Sequence, residues 1–431
     1  TYLTHSISLH SAHIMDSVTT SQLISPENFA NIMGVSRATV QKWIANGTYI
    51  PDVQLGGKVF YSLDSLRHVD PIRDMLDSSW EEELQIKPLR PYTSVELFAG
   101  AGGLALGMEK AGFSHLLLNE IDHDACRTLL SNRPEWHVVQ SDIHHLDFSK
   151  YRGKVDLLTG GFPCQAFSYA GKQGGFADTR GTLFFELARA TQEIQPKVLM
   201  AENVRGLLVH DSGRTLETIR TTISELGYTL VEPRVLRAIM YQVPQKRERL
   251  ILIAVRNDLA AALPAFTWPK PYKRVMTLRD AFYAGELFPT DVPPSEGQKY
   301  PEKKRAVMDL VPQGGCWKDL PLEVQKEYMG GSFNLEGGKT GMARRLSLDE
   351  PSLTLTCAPA QKQTERCHPT ETRPLSVREY ARIQTFPDEW KFEGSLSSQY
   401  KQIGNAVPVN LAYAIGRSLI RLLNAITEQE L

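Results

Sequence analysis

The sequence has few cysteines, no long apolar run and no excess of charge of either sign. Its 431 residues include five scattered cysteines, an odd number that makes no disulfide framework and suits a reducing compartment. No stretch reaches the length of apolar sequence that a membrane-spanning helix needs, and no charged-then-apolar signal segment opens the chain. We therefore expect a cytoplasmic protein of roughly two to four domains. The 48 basic and 49 acidic side chains argue weakly against a generic nucleic-acid binder, which usually carries a basic excess.

The first part of the chain predicts a flexible tail followed by a small helical domain. Residues 1–20 are rich in Ser, Thr and His without any period, and are expected to be the tail. Within residues 21–75, a turn at Gly34 separates two helical patterns, and Ser36 can cap the second. This is typical of a helix-turn-helix, with a short wing strand after it. The alternative is a packing or dimerisation domain that uses the same helix pair. If the domain contacts DNA, the residues expected to do so are Arg37, Thr39 and Lys42.

After an expected linker at residues 76–91, the sequence pattern changes. From Tyr92 onward, short β-branched runs alternate with helical patterns at about 103–112, 123–132, 181–194 and 213–226. Repeated strand-then-helix segments indicate an α/β domain with a mostly parallel sheet and helices on both faces. The alternation fails at about residue 272 and helical pattern returns after 372. We therefore predict an inserted domain at 271–372, between a main domain at 92–270 and its return at 373–431.

Two chemical signals lie at the predicted carboxyl ends of these strands. A glycine-rich turn follows the first strand, and acidic residues follow the next two. The glycine spacing of this turn is not that of a dinucleotide fingerprint, and a P-loop is absent because Phe333 stands where the first glycine before Gly338-Lys339-Thr340 must be. By itself, the pattern leaves open an adenosine-like ligand or a structural turn with helix-capping acids. Farther on, Cys164 follows Pro163 on a loop, and Glu202 ends the fifth strand, which is the edge where open α/β sheets bind substrates.

Six ordered blocks of sequence resemble the DNA (cytosine-5) methyltransferase family. They are Phe98-Ala99-Gly100-Ala101-Gly102-Gly103, Gly161-Phe162-Pro163-Cys164-Gln165, Glu202-Asn203-Val204, Gln245-Lys246-Arg247-Glu248-Arg249, the segment from Arg378 to Pro387, and Gly404-Asn405-Ala406-Val407. The resemblance covers about residues 92–425. It implies a Rossmann-like, S-adenosylmethionine-dependent methyltransferase domain, an inserted target-recognition domain and, with the N-terminal part, a small helix-turn-helix domain.

The resemblance assigns the chemistry residue by residue. Carbon 5 of cytosine is a poor nucleophile, so the family attacks carbon 6 with a thiolate, which is Cys164 here. Glu202 matches the carboxylate that holds or shares a proton with ring nitrogen 3. Arg249 matches the arginine that reaches the base oxygen, and Arg247 supports the site and the backbone phosphates. The base must leave the stack to be attacked, so base flipping is implied.

For S-adenosylmethionine, whose product is S-adenosylhomocysteine, the resemblance implies a set of binding residues: Phe98, Gly100, Gly102, Glu120, Ile121, Asp142, Ile143, Phe162, Pro163, Leu183, Asn405 and Val407. Two positions depart from the family's pattern. Glu96 stands where the family often has Asp, and Ile121 stands where an aromatic ring can stack on adenine.

DNA contacts are expected from the catalytic loop and the inserted domain. Gln165 and Ser168 match loop positions that contact DNA, and Arg344 and Arg345 are candidate readers of base edges. Each of the latter two has loop scaffolding as its alternative. The spacing of Cys357, Cys367 and His368 fits no common zinc pattern, so no metal is expected.

The predicted activity is methylation of carbon 5 of a cytosine in a specific double-stranded DNA sequence, as the protective partner of a restriction endonuclease. We expect a monomer that needs no physical contact with the endonuclease and no membrane. A transfer-RNA methyltransferase and a DNA-binding transcriptional regulator are the alternatives.

The near-zero net charge is an average over segments of opposite charge. Residues 234–256 carry six bases and one acid, whereas residues 64–83 carry seven acids and two bases.

Overall fold

The computed structural model describes residues 23–162 and 183–431. Contacts between residues divide the chain into two compact units. One contains the described residues up to 81 together with 270–275, and the other contains 82–269 and 276–431. Within the described residues, no helix is both long and apolar enough to cross a bilayer.

The first unit combines three helices with a small antiparallel sheet. The helices are α1 (Pro26–Met33), α2 (Arg37–Ala45) and α3 (Asp70–Leu76), and the strands are β1 (Leu23–Ile24), β2 (Val53–Leu55) and β3 (Lys58–Ser62). Strand β3 pairs with both β1 and β2. Ser36 caps α2 by accepting a hydrogen bond from the Thr39 amide at 3.1 Å, and Gly34 ends α1 in the left-handed conformation. The two helical patterns and the strand after them are confirmed, whereas DNA binding by this unit stays a prediction.

A seven-strand path forms the large sheet of the second unit. Its order is β10-β12-β8-β7-β4-β5-β6, and β9 pairs with β12 outside this path. Strands β4 to β8 run parallel to one another, whereas β9, β10 and β12 add antiparallel pairs at one side. The strands are β4 (Tyr92–Leu97), β5 (Phe113–Glu120), β6 (Val138–Gln140), β7 (Leu157–Gly160), β8 (Val198–Val204), β9 (Tyr228–Leu230), β10 (Arg234–Arg237) and β12 (Glu248–Arg256). The expected α/β class with a mostly parallel sheet is confirmed.

Helices accompany this sheet as the alternation predicts. The short helix α4 (Trp80–Glu83) lies in the expected linker, before the alternation begins, and the helices that accompany the sheet are α5 (Gly103–Ala111), α6 (His123–Asn132), α7 (Leu183–Ile194), α8 (Arg214–Glu225), α12 (Val377–Ile383), α13 (Leu396–Asn405) and α14 (Val409–Glu430). Small residues let α14 approach α5 closely. A Cβ on Gly107 would lie 2.4 Å from the Ala412 Cβ, and one on Gly416 would lie 2.6 Å from the Ala111 Cβ. The last long helix of the chain therefore packs directly against the helix that follows the glycine turn.

The stretch between the two parts of this unit has its own short elements. They are α9 (Leu278–Phe282), α10 (Glu302–Asp309), α11 (Leu322–Met329) and β13 (Ser352–Leu353), which pairs in parallel with β11 (Gln245–Lys246). A hydrophobic cluster around Met308, Trp317 and Met329 includes residues of α10 and α11. The structure therefore confirms that the alternation of strands and helices stops after residue 272. The predicted domain boundaries themselves stay a prediction.

Candidate active site

The glycine-rich turn connects β4 to α5 in a conformation that few side chains tolerate. Phe98, Gly100 and Gly102 all have positive φ angles, at 57°, 56° and 93°. Nothing lies within 4 Å of the Cβ position of Gly100, so the backbone there borders open space. At Gly102 a Cβ would lie 2.8 Å from Leu129 and 2.9 Å from Trp390. The turn is therefore packed on one side and accessible on the other.

Glu120, the last residue of β5, holds this turn in place. One carboxylate oxygen accepts a hydrogen bond from the Gly100 amide at 2.7 Å, and the other accepts from the amides of Ile121 and Asp122 at 2.8 Å each. The Ile121 side chain is 62% exposed beside it. A carboxylate and an exposed apolar side chain thus flank the open face of the turn.

Asp142 follows β6 at the same edge of the sheet. Its Oδ1 accepts hydrogen bonds from the His144 amide at 3.0 Å and from the His144 ring Nδ1 at 2.6 Å. These bonds lower the pKa of Asp142. The neighbouring Ile143 side chain is buried in the hydrophobic core, so only its backbone borders this edge.

Glu96 lies in β4, just before the turn, at a position where the sequence departs from the family's cofactor pattern. The side chain is buried, and its Oε2 has no hydrogen-bond partner among the described residues. Burial, and secondarily the charge of Glu120, raises the pKa of Glu96 well above its usual range. An orphaned carboxyl oxygen and the open space at Gly100 are the features expected of a pocket for a polar ligand.

Glu202 and Arg249 form an ion pair on the next part of the sheet. The Glu202 Oε1 and the Arg249 Nε lie 2.5 Å apart, and both side chains are largely buried. Strand pairing explains the contact, because β12 runs antiparallel to β8 with Arg249 opposite Val204 and Ile251 opposite Glu202. The two side chains are thus diagonal neighbours on one face. Gly161 makes room for them, since a Cβ there would lie 2.9 Å from the Glu202 Oε2.

Arg247 is 2% exposed, and its guanidinium binds backbone carbonyls in the interior of the protein. Its guanidinium donates to the Leu355 carbonyl at 3.3 Å and to the Gly404 carbonyl at 3.0 Å. Burial lowers the pKa of Arg247. Its expected support of the site has a geometric basis, whereas a contact with backbone phosphates stays a prediction.

Some of the expected site residues lie outside the part of the chain that the structure describes, and others lie beside it. Pro163, Cys164, Gln165 and Ser168 fall outside the described residues. Phe162 is buried, with its ring 5.4 Å from that of Phe184, and its carbonyl accepts a hydrogen bond from the Asn203 side chain at 3.0 Å. Leu183 is partly buried against the same core.

Comparisons with known proteins identify the family of this chain. A family model described as C-5 cytosine-specific DNA methylase matches residues 92–421. The chain belongs to this family. The Type II methyltransferase M.Eco47II of Escherichia coli is 62% identical over 93% of this chain and 96% of its own length. M.PspPI of a Psychrobacter strain is 60% identical over 92% of this chain and 95% of its own. A crystal structure of a prophage-encoded DNA modification methyltransferase from E. coli has a TM-score of 0.56 at 24% identity, covering 77% of this chain and 99% of its own, which supports the fold.

The C-5 cytosine methylase match begins at residue 92, but the two high-identity relatives extend farther. The M.Eco47II alignment covers 401 residues, whereas only 340 residues of this chain lie at or after position 92. At least about 60 residues before the family match are therefore aligned with that relative as well. The N-terminal unit is thus shared with a Type II methyltransferase.

Asn405 and Val407 bring the end of the methylase sequence back to its beginning. The Val407 carbonyl approaches Gly103 so closely that a Cβ there would lie 2.2 Å from it. Asn405 is exposed, and its Oδ1 accepts a hydrogen bond from the Cys357 thiol at 3.4 Å. The turn expected to complete the cofactor pocket therefore lies beside the glycine turn.

The structure corrects the expectation for Arg345. All five of its N–H donors are used within the protein: Nε and the two terminal nitrogens donate to the carbonyls of Met308, Val311, His368 and Glu371 and to the Thr372 hydroxyl. Arg345 is buried and has no donor left for a base edge. Arg344 is partly exposed, and donates to the carbonyls of Thr340 and Gly314.

The N-terminal candidates lie on the surface of α2 and its first turn. Arg37 and Lys42 are exposed, and Arg37 makes an ion pair with Glu27 at 3.0 Å. Thr39 takes part in the Ser36 cap through both its amide and its hydroxyl.

Two buried glutamines were missed from the sequence. The Gln245 Nε2 donates to the Gln384 Oε1 at 2.7 Å, and neither side chain has any solvent exposure. They lie 139 residues apart, one at the start of the Gln-x-Arg-x-Arg block and the other in the Arg378–Pro387 block. Both residues lie within sequence blocks that resemble the family, which indicated that they matter. No rule of sequence spacing, however, predicts a contact between positions so far apart.

Proposed function

We propose that this protein transfers a methyl group from S-adenosylmethionine to carbon 5 of cytosine in a specific double-stranded DNA sequence, and so protects that sequence from a restriction endonuclease. The observation that carries the proposal is the Glu202–Arg249 pair, 2.5 Å apart in a chain of the C-5 cytosine-specific DNA methylase family. The two relatives above 59% identity are named as Type II methyltransferases, which supports the restriction–modification context.

The residues at the sheet edge fit the proposed cofactor. Glu120 and Asp142 suit the ribose and base of an adenosine, and the exposed Ile121 offers an apolar surface for the purine. The open backbone at Gly100 and the orphaned Glu96 oxygen suit the polar methionine end. Phe98, Gly102, Phe162, Pro163, Leu183, Asn405, Val407 and the backbone of Ile143 complete the proposed set. When bound, S-adenosylmethionine supplies an electrophilic methyl group on sulfur.

The protein's own residues would act on a cytosine that has left the stack. The Cys164 thiolate adds to carbon 6, and the electron pair displaced from the 5,6 double bond makes carbon 5 nucleophilic. Glu202 holds a proton at ring nitrogen 3, and Arg249 donates to the base oxygen, so both draw negative charge away from the ring. After carbon 5 takes the methyl group, a base removes its proton, the double bond reforms and Cys164 leaves.

Labelled-methyl transfer tests this proposal. The full chain is incubated with S-[methyl-³H]adenosylmethionine and either unmethylated bacterial DNA or transfer RNA. We expect label in DNA, none in RNA, and no label with Cys164→Ser. Bisulfite sequencing of DNA from cells that express the protein then identifies the methylated sequence. Label in RNA alone would favour the transfer-RNA alternative, and full turnover by Cys164→Ser would overturn the mechanism.

We also propose that the first unit binds DNA through α2, with Arg37, Thr39 and Lys42 at the contact, and that the target is the protein's own promoter. The exposed position of Arg37 and Lys42 supports this. In the full chain, Arg37→Ala combined with Lys42→Ala should abolish retardation of a promoter fragment while methyl transfer continues. Unchanged promoter binding by this variant would contradict the proposal.

A further inference from the structure

Two segments that are distant in sequence contact each other directly. We define the cofactor turn as Gly404–Val407, and the recognition segment as Thr354–Cys357, which follows β13 within the inserted domain expected to read DNA. Their backbones touch, because a Cβ on Gly404 would lie 2.2 Å from the Thr356 carbonyl oxygen. The Cys357 thiol also donates to the Asn405 side chain at 3.4 Å.

The Gln-x-Arg-x-Arg block joins these two segments through side chains. The Gln245 Oε1 accepts a hydrogen bond from the Leu355 amide at 2.9 Å, and Arg247 donates to the Leu355 carbonyl at 3.3 Å. Both polar backbone groups of one recognition-segment residue are thus held by neighbouring side chains of the block. Arg247 also donates to the Gly404 carbonyl at 3.0 Å, which lies in the cofactor turn.

Gln384 completes the connection from the other side. It accepts from the Gln245 Nε2 at 2.7 Å, and its own Nε2 donates to the carbonyls of Ile403 and Ala406 at 2.8 and 3.2 Å. A chain of buried amides therefore runs from the Leu355 amide to the cofactor turn. Because a buried amide that loses its hydrogen-bond partner destabilises the folded protein, neither segment can shift alone without loss of stability.

We propose that the Gln245–Gln384 pair couples the two binding sites, so that a ligand at the cofactor turn and DNA at the recognition segment strengthen each other's binding. Both glutamines are positioning residues, since they act through backbone and have no exposed surface for a ligand. This inference rests on the proposed function for the identity of the two ligands. Linkage requires the coupling factor to be the same in both directions.

Gln402 offers a matched control for Gln384. It is also buried, accepts from the Thr128 hydroxyl at 2.6 Å and donates to the Glu393 carbonyl at 2.8 Å. Those partners lie in neither segment. Gln384→Met and Gln402→Met therefore remove similar buried hydrogen bonds, but only the first cuts the proposed connection.

The test measures the Kd of S-adenosylhomocysteine with and without a duplex that the wild-type protein methylates. In the wild type we expect DNA to lower this Kd by a factor in the range of about 5–150, which is typical of coupled sites. In Gln384→Met the factor should fall to less than about half of the wild-type value, because Arg247 still joins the two segments, while Gln402→Met keeps the wild-type factor at a similar loss of Tm. A wild-type factor of one, or an unchanged factor in Gln384→Met, would overturn the proposal. A wild-type protein that methylates no DNA would count against the proposed function instead.

Hydrogen exchange gives a second measurement on the unmodified protein, should Gln384→Met fail to fold. S-adenosylhomocysteine alone should slow amide exchange in a peptide covering the recognition segment, although the compound is proposed to bind at the cofactor turn. Exchange of that peptide unchanged by a saturating concentration would contradict coupling through the glutamine pair.

Discussion

The Glu202 carboxylate and the Arg249 guanidinium lie 2.5 Å apart on adjacent antiparallel strands. The pair fixes the direction of both side chains before any base arrives. Preorganised charge of this kind is effective because it needs no rearrangement during the reaction.

Replacement of Arg249 should therefore slow the reaction without loss of the cofactor site. We expect Arg249→Ala to lower kcat about 10²–10³-fold, which is typical when one preorganised donor is removed. The Kd of S-adenosylhomocysteine should stay at the wild-type value. Arg220→Ala, which removes a 2.7 Å pair with the exposed Glu232, is the control and should retain full kcat. A normal kcat in Arg249→Ala would exclude the proposed role.

Gly161 should be required for the position of Glu202. In Gly161→Ala the new methyl group would lie 2.9 Å from the Glu202 Oε2 and push the carboxylate from its place. We expect kcat to fall at least about tenfold, which corresponds to roughly 1.4 kcal/mol in the barrier. Gly206→Ala is the matched control, because the nearest atom to its Cβ is 3.9 Å away. Equal activity of the two variants would show that Glu202 tolerates displacement.

Glu96 should make the stability of the protein depend on pH. Its pKa is raised in the folded protein, so its stabilising contribution is complete below the unfolded pKa and is lost as pH rises toward the folded value. Glu96→Gln cannot ionise. The variant's free energy of unfolding relative to wild type should therefore increase by at least about 1 kcal/mol between pH 5 and pH 8. Urea denaturation at both pH values measures this difference, and a pH-independent difference would contradict a raised pKa.

Close packing between α5 and α14 should make Gly107 intolerant of a side chain. A Cβ there would lie 2.7 Å from the Val409 carbonyl oxygen as well as against Ala412. We expect Gly107→Ala to lower the free energy of unfolding by about 1–3 kcal/mol through overpacking. Gly285→Ala, with no atom within 4 Å of the new Cβ, should differ from wild type by less than about 0.5 kcal/mol. Thermal or denaturant unfolding of both variants decides the point.

Substitutions of the adjacent residues Arg344 and Arg345 should have different effects, one on DNA binding and the other on stability. If Arg344 contacts a phosphate, Arg344→Ala weakens DNA binding and reduces the slope of log K against log salt by about 1. Arg345→Ala should instead lower Tm, because it leaves several buried carbonyls without donors. Binding titrations at several salt concentrations and thermal melts distinguish the two. A reversed pattern would place the DNA contact at Arg345.

The parts of the fold that depend on local pattern could be predicted from the sequence. The helical pattern at 123–132 matches α6, and the pattern at 213–226 matches α8 within one residue at each end. Their hydrophobic periods and capping residues act over a few positions.

The contacts that complete the site could not be predicted in this way. The Gln245–Gln384 pair and the fully used donors of Arg345 depend on which distant segments the tertiary fold brings together. Sequence spacing carries no such information, so Arg345 was expected to contact DNA because it lies in the inserted domain. Glu202 and Arg249 were found because the family resemblance, and not the spacing, joined them.

The packing of Trp390 beneath the glycine turn sets the order of events during protein synthesis. Its indole Nε1 donates to the Ala101 carbonyl, 289 residues earlier in the chain, and the Val407 carbonyl lies against Gly103. A ribosome that has made the turn, the cysteine loop and the Glu202 strand has still not made the floor of the proposed pocket. Nascent chains, and fragments that stop before residue 390, would thus carry the reactive groups without a complete cofactor site. We therefore expect fragments that end before residue 390 to bind S-adenosylhomocysteine more weakly than the full chain.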